Sequence, residues 1–224
     1  MGKRYQNFKK YILGTNWLKT IRINLYYFDL LQAVRFPILV SRRVVFQQLE
    51  GGVEIDAPIK TGMLLLGYHG LGSQDYFYER TVWQVSGTVR LGGSKIYIGG
   101  GSRFCVSGLC YLGDHFMITG RSTVICHHNI QFGNKALLSW DILVMDTDYH
   151  KILDLSGQII NQDKSIIIGD KVWVGCRSTI LKGSVIPHNS IIAAGSIISG
   201  KLEKENSIYT SDKRLLKDNI YWEA

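Results

Sequence analysis

Residues 144–151, which read VMDTDYHK, contain the side chains best suited to acid–base chemistry in this chain. His150 follows the carboxylates Asp146 and Asp148 by four and two residues. An imidazole titrates near neutral pH, so it can accept the proton of a hydroxyl group that attacks another molecule. A carboxylate that accepts a hydrogen bond from the other ring nitrogen would fix the tautomer and stabilise the protonated ring. Either aspartate can fill that role, and a polar loop whose histidine only meets solvent is the simpler alternative.

A repeat of six residues flanks this segment and predicts the elements that hold it. After the segment, β-branched aliphatic residues recur at a constant spacing: Ile168, Val174, Ile180, Ile186, Ile192 and Ile198. Four residues after each of them comes a residue that is mostly small: Val172, Ser178, Ser184, Ser190, Ser196 and Leu202. A helix is excluded, because a step of six residues at 3.6 residues per turn scatters the aliphatic residues around its surface.

The repeat predicts a solenoid of short strands and tight corners. Positions two apart in a strand face the same side, so each repeat supplies one small and one bulky inward side chain. Gly169, Gly183 and Gly195 lie in or next to the predicted corners, where the chain must turn sharply. Small serines near the corners would allow three strands to close into a narrow triangular coil.

The same spacing appears upstream and stops at the histidine segment. The upstream series is Leu112, Ile118, Val124, Ile130, Ala136 and Ile142. Its small-residue positions hold mostly larger residues, which predicts wider or distorted coils: Phe116, His128, Asn134 and Trp140. The next inward position would be Asp148, yet the repeat resumes only at Ile168. Residues 146–167 are therefore predicted to form a loop that leaves the solenoid and carries a reactive side chain.

The downstream repeat, IIIGDKVWVGCRSTILKGSVIPHNSIIAAGSIISG, resembles the hexapeptide-repeat acyltransferases. That resemblance implies an all-β solenoid, the left-handed parallel β-helix. The segment LLSWDILVMDTDYHKI, followed by IIIGDKVWVG, is similar to the bacterial O-acetyltransferases that modify capsular and lipopolysaccharide sugars. We expect a mixed N-terminal cap at residues 1–50, a β-helix at residues 51–202 with a catalytic loop at 146–167, and a short C-terminal tail at 203–224.

The resemblance implies an enzyme that moves an acetyl group from acetyl-CoA to a hydroxyl of a sugar or glycan precursor of capsule, lipopolysaccharide or exopolysaccharide. In this family a histidine on a loop leaving the coil is the general base, which here matches His150, with Asp148 or Asp146 as its partner. The family also implies a homotrimer with acetyl-CoA between subunits and a sugar, nucleotide-sugar or lipid-linked glycan as acceptor. Two alternatives stay open: an N-acetyltransferase acting on an amino sugar or small xenobiotic, and a non-catalytic β-helical scaffold or binding subunit.

Further site residues follow from the same resemblance. Those matching contacts to the pantetheine arm, adenine or phosphates of acetyl-CoA are Trp173, Cys176, Ala194, Ser199, Lys201 and Lys213. The candidates for contact with the sugar are Trp140, Asn134 and His128. Trp140 and Asn134 are predicted to lie on the His150 side of the solenoid, although filling of the coil explains them equally well. For Trp173, packing against another subunit is the alternative.

Three histidines near the middle of the chain suggest a zinc site as a further alternative, as in the gamma-class carbonic anhydrases. His127 and His128 are adjacent, and His115 precedes them by about two repeats. Because adjacent residues of a strand face opposite sides, these two cannot bind one metal from the same face. We therefore expect no metal.

The composition is that of a folded, basic protein. Of its 224 residues 46% are hydrophobic, and the formal net charge of +8 favours anionic partners such as the phosphates of acetyl-CoA. The four cysteines lack the paired spacing of a zinc site and are expected to be reduced thiols in a cytoplasmic protein. No nucleic acid partner is expected.

The N-terminal segment YILGTNWLKTIRINLYYFDLLQAVRFPILV is aromatic and basic. Charged residues and a proline interrupt its apolar stretches, so we expect neither a transmembrane helix nor a signal peptide. The segment allows a peripheral contact with the inner face of the membrane, while packing against the body of the protein is the alternative.

Overall fold

A computed structural model gives the fold of residues 13–68, 72, 74–75, 77–211 and 214–219. Its strands follow one another in a fixed cycle through three sheets. Each turn of the chain contributes one strand to each sheet, so the chain winds into a three-sided solenoid, as the six-residue repeat predicts.

Within the described residues, the first sheet has nine strands: β1 (Ile38–Val40), β4 (Leu64–Tyr68), β7 (Ile96–Gly99), β10 (Met117–Gly120), β13 (Leu137–Trp140), β16 (Trp173–Val174), β19 (Ile191–Ile192), β21 (Ile208–Tyr209) and β22 (Leu215–Lys217). The second sheet has seven: β2 (Val44–Leu49), β5 (Thr81–Val85), β8 (Arg103–Val106), β11 (Thr123–Cys126), β14 (Leu143–Met145), β17 (Thr179–Leu181) and β20 (Ile197–Ile198). The third sheet has six: β3 (Gly52–Ile55), β6 (Thr88–Leu91), β9 (Leu109–Leu112), β12 (Asn129–Phe132), β15 (Ile166–Ile168) and β18 (Val185–Ile186).

Neighbouring strands from successive turns pair in parallel, and the final pair, β21 with β22, is antiparallel. We number the coils by their strands, from coil 1 (β1 to β3) through coil 6 (β16 to β18) to coil 7 (β19 and β20). The corners are named by the sheets they join, so that the 2–3 corner lies between a strand of the second sheet and the following strand of the third.

The aliphatic residues of the downstream repeat all point into the solenoid, as predicted, since each is at most 1% exposed: Ile168, Val174, Ile180, Ile186, Ile192 and Ile198. The serines between them are buried as well, and their hydroxyls donate to corner carbonyls. Ser184 Oγ donates to the carbonyl of Leu181 and Ser196 Oγ to that of Ala193, both at 2.6 Å. Serine therefore fits the narrow corner and also satisfies a backbone acceptor there.

The coils differ in circumference. In the downstream part, Thr179 pairs with Ile197, so one turn of the chain equals three repeats of six. In the upstream part, Thr123 pairs with Leu143, so one turn is two residues longer than three repeats. The upstream coils are thus wider, as the larger residues in their repeat predict.

Aromatic rings fill the interior of the wider coils. Trp83 stacks on Phe104 with ring centroids 5.4 Å apart, and the rings of Phe116 and Phe132 lie 4.6 Å apart. All four side chains are fully buried. Because each ring replaces an aliphatic or small residue of the narrow coils, these side chains supply volume that helps to fill the wider interior.

The predicted loop is residues 146–165, which connect β14 to β15 at the 2–3 corner of coil 5. The last two residues of the predicted range already belong to β15. Ile130 of β12 pairs with Ile166 of β15, so this turn has 36 residues. A narrow downstream turn, such as the one from Thr179 to Ile197, has 18 residues, which is half as many. The interruption is therefore an insertion into one turn, and the strands continue in register across it.

The solenoid begins before Gly51, where the sequence placed its start. The strands β1 and β2 already pair with β4 and β5. The repeat is not readable there because insertions lengthen the first turn, so that the partner of Val44 is Thr81 and the turn has about twice the usual length. The two helices α1 (Trp17–Tyr27) and α2 (Leu30–Ala33) precede β1. Among the described residues, no helix has the length and apolarity that crossing a bilayer requires. The division into cap, β-helix and tail stays a prediction.

Polar side chains of α1 close the free edge of β1. Asn24 Nδ2 donates to the carbonyl of Ile38 at 2.7 Å, and the N–H of Ile38 donates to Asn24 Oδ1 at 3.1 Å. The N–H of Val40 donates to Thr20 Oγ1 at 3.1 Å. Thr20 and Asn24 are fully buried, so these side chains take the place that a further strand would have.

The corners use the left-handed backbone conformation, with and without glycine. Gly183 and Gly195 have φ values of 77° and 72°, as expected for glycine in a tight corner. At the 3–1 corner the same conformation is adopted by Lys135, Lys171 and Asn189, with φ between 52° and 57°. The glycines of the sequence therefore identify only some of the corners.

Candidate active site

Asp146 fastens the base of the loop to the coil before it. It is fully buried, and its carboxylate accepts backbone N–H bonds from His127 (2.7 Å), His128 (2.9 Å) and Asn129 (2.7 Å) at the 2–3 corner of coil 4. Both carboxylate oxygens take part, and such charge-assisted bonds are stronger than bonds between neutral groups. Asp146 is thus engaged by the backbone, and its hydrogen bonds within the described residues do not include the imidazole of His150.

Asp148 holds the loop to coil 6, whereas Asp146 holds it to coil 4. Its Oδ2 accepts a hydrogen bond from Lys182 Nζ, in coil 6, at 2.5 Å and one from Asn161 Nδ2 at 2.8 Å. The bond from Lys182, followed by that from Asn161, lowers the pKa of the Asp148 carboxyl. Asn161 Nδ2 also donates to the backbone carbonyl of His150 at 2.8 Å. Among the described residues, Asp148 is therefore linked to His150 through Asn161 and the loop backbone. A direct hydrogen bond between Asp148 and the imidazole of His150 stays a prediction.

A histidine–aspartate pair that the sequence reasoning missed lies at the end of the loop. Nδ1 of His127 lies 2.8 Å from Oδ2 of Asp163. Burial raises the pKa of Asp163, but hydrogen bonds from Thr147 and His127 outweigh it and keep that pKa below its usual value. An ionised carboxylate can only accept a hydrogen bond, so the shared proton resides on Nδ1 of His127.

The pair could have been predicted from the strand register. His127 and Asp163 are 36 residues apart, which is also the separation of Ile130 from its partner Ile166 across the loop. Residues separated by one full turn lie side by side. The inserted length of coil 5 had to be known before the partner of His127 could be identified.

His150 and His127 share an open depression of about 260 Å³, whose wall also includes Thr147, Tyr149 and Asp163. The Tyr149 side chain is 62% exposed, and its φ of 58° is rare for an aromatic residue. Such backbone strain concentrates at functional sites. The depression therefore offers an exposed imidazole, a second imidazole with a fixed proton and an aromatic ring to a polar ligand.

Three of the predicted acetyl-CoA residues lie on the first sheet and at its 1–2 corner. Trp173 of β16 is 37% exposed, and its indole N–H donates to Ser139 Oγ at 3.0 Å. Cys176 and Ala194 occupy the same corner in consecutive coils, where the N–H of Gly195 donates to the carbonyl of Cys176 at 2.9 Å. The structure thus groups an exposed indole with a corner of small residues.

The other predicted acetyl-CoA residues do not join this group. Ser199 and Lys201 follow β20 and lie exposed where the chain leaves the second sheet. Lys201 Nζ lies 3.4 Å from a carboxylate oxygen of Glu203. Lys213 lies outside the described residues. The acetyl-CoA roles of all six residues stay predictions.

In a single chain, Asn134 and Trp140 do not lie on the side of the solenoid that carries His150, in contrast to the prediction. Asn134 is exposed at the 3–1 corner, where its Oδ1 accepts from the N–H of Asp114 at 2.9 Å and its own N–H donates to Asp170 Oδ1 at 2.6 Å. Trp140 ends β13, next to the 1–2 corner. The wider upstream coils shift these positions away from the inward ladder, and the loop leaves from the remaining corner.

His128 does lie at the 2–3 corner, beside His127, but it is exposed and not part of the core. Its backbone N–H is bound to Asp146. Its role toward the sugar stays a prediction, as do those of Asn134 and Trp140. Among the described residues, no three histidine, cysteine or acidic side chains are grouped so that they could hold a metal ion.

No protein-family model matches the chain. The polysialic acid O-acetyltransferase of Escherichia coli O1:K1 / APEC is 32% identical over 95 residues, which are 42% of this chain and 31% of that protein. The polysialic acid O-acetyltransferase of Neisseria meningitidis is 38% identical over 68 residues, which are 30% of this chain and 32% of that protein. The match thus spans about a third of each of these curated relatives.

The crystal structure of the polySia-specific acetyltransferase NeuO resembles this chain over most of its length. The match covers 84% of this chain and 79% of that one, with a TM-score of 0.51 and 20% identity. Together with the parallel pairing of strands from successive turns in all three sheets, it confirms the predicted fold, a left-handed parallel β-helix. The predicted resemblance to bacterial sugar O-acetyltransferases is likewise confirmed by the sequence relatives.

Proposed function

We propose that the protein is an O-acetyltransferase that moves an acetyl group from acetyl-CoA to a hydroxyl of a bacterial capsular or related surface glycan. One observation carries the proposal. His150 is an exposed imidazole on a loop inserted into coil 5, and it lines an open depression together with a second histidine. The matched relatives, which are named as O-acetyltransferases of polysialic acid, support both the reaction and the class of acceptor.

In this proposal His150 is the general base. It takes the proton of the acceptor hydroxyl while the oxygen attacks the carbonyl carbon of the thioester. The carbon–sulfur bond then breaks, and the proton passes from the imidazolium to the departing sulfur, so that coenzyme A leaves as the thiol. Removal of a positioned general base typically lowers a rate by roughly 10²–10⁴-fold.

The loop contacts explain how the base is kept in place. The bonds of Asp146 fix the first residue of the loop, and Asn161 binds both Asp148 and the His150 carbonyl. Lys182 ties the same carboxylate to coil 6. Since a misplacement of about 1 Å can cost on the order of 10² in rate, these anchors have a direct consequence for activity.

A second copy of the chain completes the site in this proposal. Trp173, Cys176 and Ala194 lie on the first sheet and its 1–2 corner, whereas the loop with His150 leaves from the 2–3 corner. The donor groove of one subunit would therefore serve the base of its neighbour, in a cyclic homotrimer. The free thiols of Cys105, Cys110, Cys126 and Cys176 agree with a protein that works in the reducing cytoplasm, where acetyl-CoA is available.

The test is acetyl-CoA-dependent thiol release with a panel of sugars, amino sugars and capsular glycan fragments. His150→Asn is compared with His115→Asn, since His115 lies at another corner and has a positive φ that asparagine tolerates. We expect a rate loss of roughly 10²-fold or more for the first variant and less than twofold for the second. Full activity of His150→Asn would overturn the proposed base, and transfer only to amino groups would overturn O-acetylation.

A further inference from the structure

Two rows of side chains run along the second sheet and lead to the candidate active site. In the first row, strand pairing places Gln48 beside Gln84, Gln84 beside Cys105, and Cys105 beside Ile125, so the row continues from coil 1 to coil 4. All four residues are half-buried, and Gln84, Cys105 and Ile125 alternate with buried neighbours along their strands. A continuous strip of the outer surface of the sheet is thereby formed.

The second row follows the first by two residues, at the 2–3 corner. It consists of Ser86, Ser107 and His127, one in each of coils 2 to 4. The last member of the row is the histidine bonded to Asp163, inside the candidate active site. The row therefore connects hydroxyl groups on the body of the solenoid with the depression that contains His150.

A second depression of about 180 Å³ lies over these rows, with Gln84, Cys105 and Ser107 in its wall. Tyr149 belongs to the walls of both depressions. The two depressions are thus adjoining parts of one trough, and the exposed ring of Tyr149 stands at their junction.

The chemistry of the trough fits a carbohydrate. Amide and hydroxyl side chains both donate and accept hydrogen bonds, as sugar hydroxyls require. An exposed aromatic ring offers a flat surface for the apolar face of a sugar. Successive coils are spaced by roughly 4.8 Å, so coils 1 to 4 extend over roughly 14 Å, which is longer than a single sugar ring.

We propose that this trough binds the glycan chain of the acceptor, with several sugar units along coils 1 to 4 and the reacting unit next to His150. The inference rests on the proposed function and specifies its substrate: a linear oligosaccharide or polysaccharide, and not a free monosaccharide or a nucleotide-sugar.

The test is an array of capsular, lipopolysaccharide-core and exopolysaccharide fragments of one to six sugar units. Gln84→Trp fills the trough from an outward position, and Gln131→Trp is the matched control on the third sheet, where Gln131 is exposed. We expect wild type and control to bind the longest fragments about tenfold more tightly than the single units, and the Gln84→Trp variant to lose this preference. The proposal is overturned if no fragment binds, if length has no effect, or if Gln84→Trp keeps the preference.

Kinetics separate this proposal from the proposed function. If single units and hexamers accept acetyl groups with equal kcat/KM, the enzyme assignment stands and the trough is overturned. If no fragment is acetylated but Gln84→Trp abolishes length-dependent binding, the trough stands and the enzyme assignment fails.

A different observation concerns the N-terminal helix α1, whose exposed face is apolar. Its inner face is mixed, because Ile23 is fully buried in the core while Thr20 and Asn24 bind the edge of β1. Its outer face is apolar, and the exposed fractions are 83% for Leu18, 41% for Ile21 and 54% for Leu25. An ordinary surface helix exposes a polar face instead.

The neighbouring residues enlarge this outer face. Leu30 and Leu31 of α2 are 68% and 81% exposed, and Val34 just after α2 is 58% exposed. Two cationic residues, Arg22 and Arg35, are exposed on the same two-helix segment, where Asp29 is an exposed acidic residue. Apolar side chains together with arginines match the interface of a bilayer that contains anionic lipids.

We infer that the outer face of α1 and α2 rests on the surface of an anionic membrane, without spanning it. The test is co-sedimentation of the full chain with vesicles of phosphatidylglycerol and phosphatidylethanolamine, or of phosphatidylcholine alone. The variant Leu18→Gln/Leu25→Gln is compared with Ile167→Gln/Ile197→Gln, which changes two exposed isoleucines on the solenoid.

We expect salt-sensitive binding to the anionic vesicles only, and a loss of at least about tenfold for the leucine variant, because each leucine would leave the apolar layer. The isoleucine variant should bind as the wild type does. Absence of binding, equal binding of both variants, or a change of oligomeric state caused only by the leucine variant would overturn the inference, the last by showing that another copy covers this face.

Discussion

The imidazole of His127 lies 2.8 Å from the carboxylate of Asp163, although 36 residues separate the two in the sequence. The bond joins the 2–3 corner of coil 4 to the end of the inserted loop in coil 5. Thr147, near the start of the loop, also donates to Asp163. One ionised carboxylate therefore holds both ends of the loop and the second histidine of the site.

Replacement of Asp163 by asparagine should lower kcat by roughly tenfold to 10²-fold, because the loop and His127 lose their common anchor. The KM for acetyl-CoA should stay within twofold, since the donor residues lie on another face. Steady-state kinetics with both substrates varied measures the two effects. Asp114→Asn, at the distant 3–1 corner next to His115, is the control. An unchanged kcat for Asp163→Asn would show that the pair has no part in positioning.

Asp146 and Asp148 should differ in their effect on stability. Asp146→Ala leaves three backbone N–H groups without their buried acceptor, so the free energy of unfolding should fall by about 3 kcal/mol. Asp148→Ala removes an exposed ion pair and should change stability little. Urea denaturation of the two variants gives the comparison. Equal small losses would contradict the structural role of Asp146.

The loop should loosen in acid. The hydrogen bond from Lys182 lowers the pKa of Asp148, so this contact stabilises the folded loop above the ordinary aspartate pKa of 3.8 and is lost as the pH falls through the lower folded value. Hydrogen exchange of residues 148–161 should therefore be constant from pH 7 to about pH 4, after correction for the intrinsic rate, and increase below it. In the Lys182→Met variant exchange should be fast even at pH 7. Loosening of the wild-type loop between pH 7 and pH 5 would contradict this assignment.

The 1–2 corner at Cys176 should be needed for binding of the acetyl donor, acetyl-CoA. Binding of coenzyme A at a hundredfold excess over its Kd should stabilise the wild type by about 2.7 kcal/mol. Cys176→Trp should abolish this gain because the indole would occupy the corner, whereas Cys176→Ser, of similar size, should keep it. Thermal unfolding with and without coenzyme A provides the measurement. Stabilisation of the Cys176→Trp variant would place the donor elsewhere.

The sequence predicts the solenoid well because each repeat of six residues corresponds to one strand and one corner of the narrow coils. The residues Ile168 to Ile198 face inward at every sixth position, and the loop is placed to within two residues at its end. The upstream register is harder to infer. A coil that is two residues longer than three repeats cannot be recognised from a spacing of six. The spacing therefore groups Asn134 and Trp140 with the His150 side, whereas in one chain they lie at and next to the other two corners.

Contacts between coils are the part that sequence spacing does not reveal. The partners of Asp146 are backbone N–H groups, which have no residue type that a motif could show. The bond between His127 and Asp163 depends on the length of the inserted loop. The trough on the second sheet likewise requires the strand register, because each of its rows takes one residue from each successive coil.

The closed edge of β1 has a consequence for how copies of this protein can associate. A parallel solenoid has strand edges at its two ends, and open edges would let molecules join end to end into a growing fibre. Here Thr20 and Asn24 occupy hydrogen-bonding groups of β1, the first strand of the first sheet, and the antiparallel strand β22 covers β21 at the other end of that sheet. Extension of the first sheet at that end would require α1 to detach, so this sheet is protected against the addition of a strand from another copy.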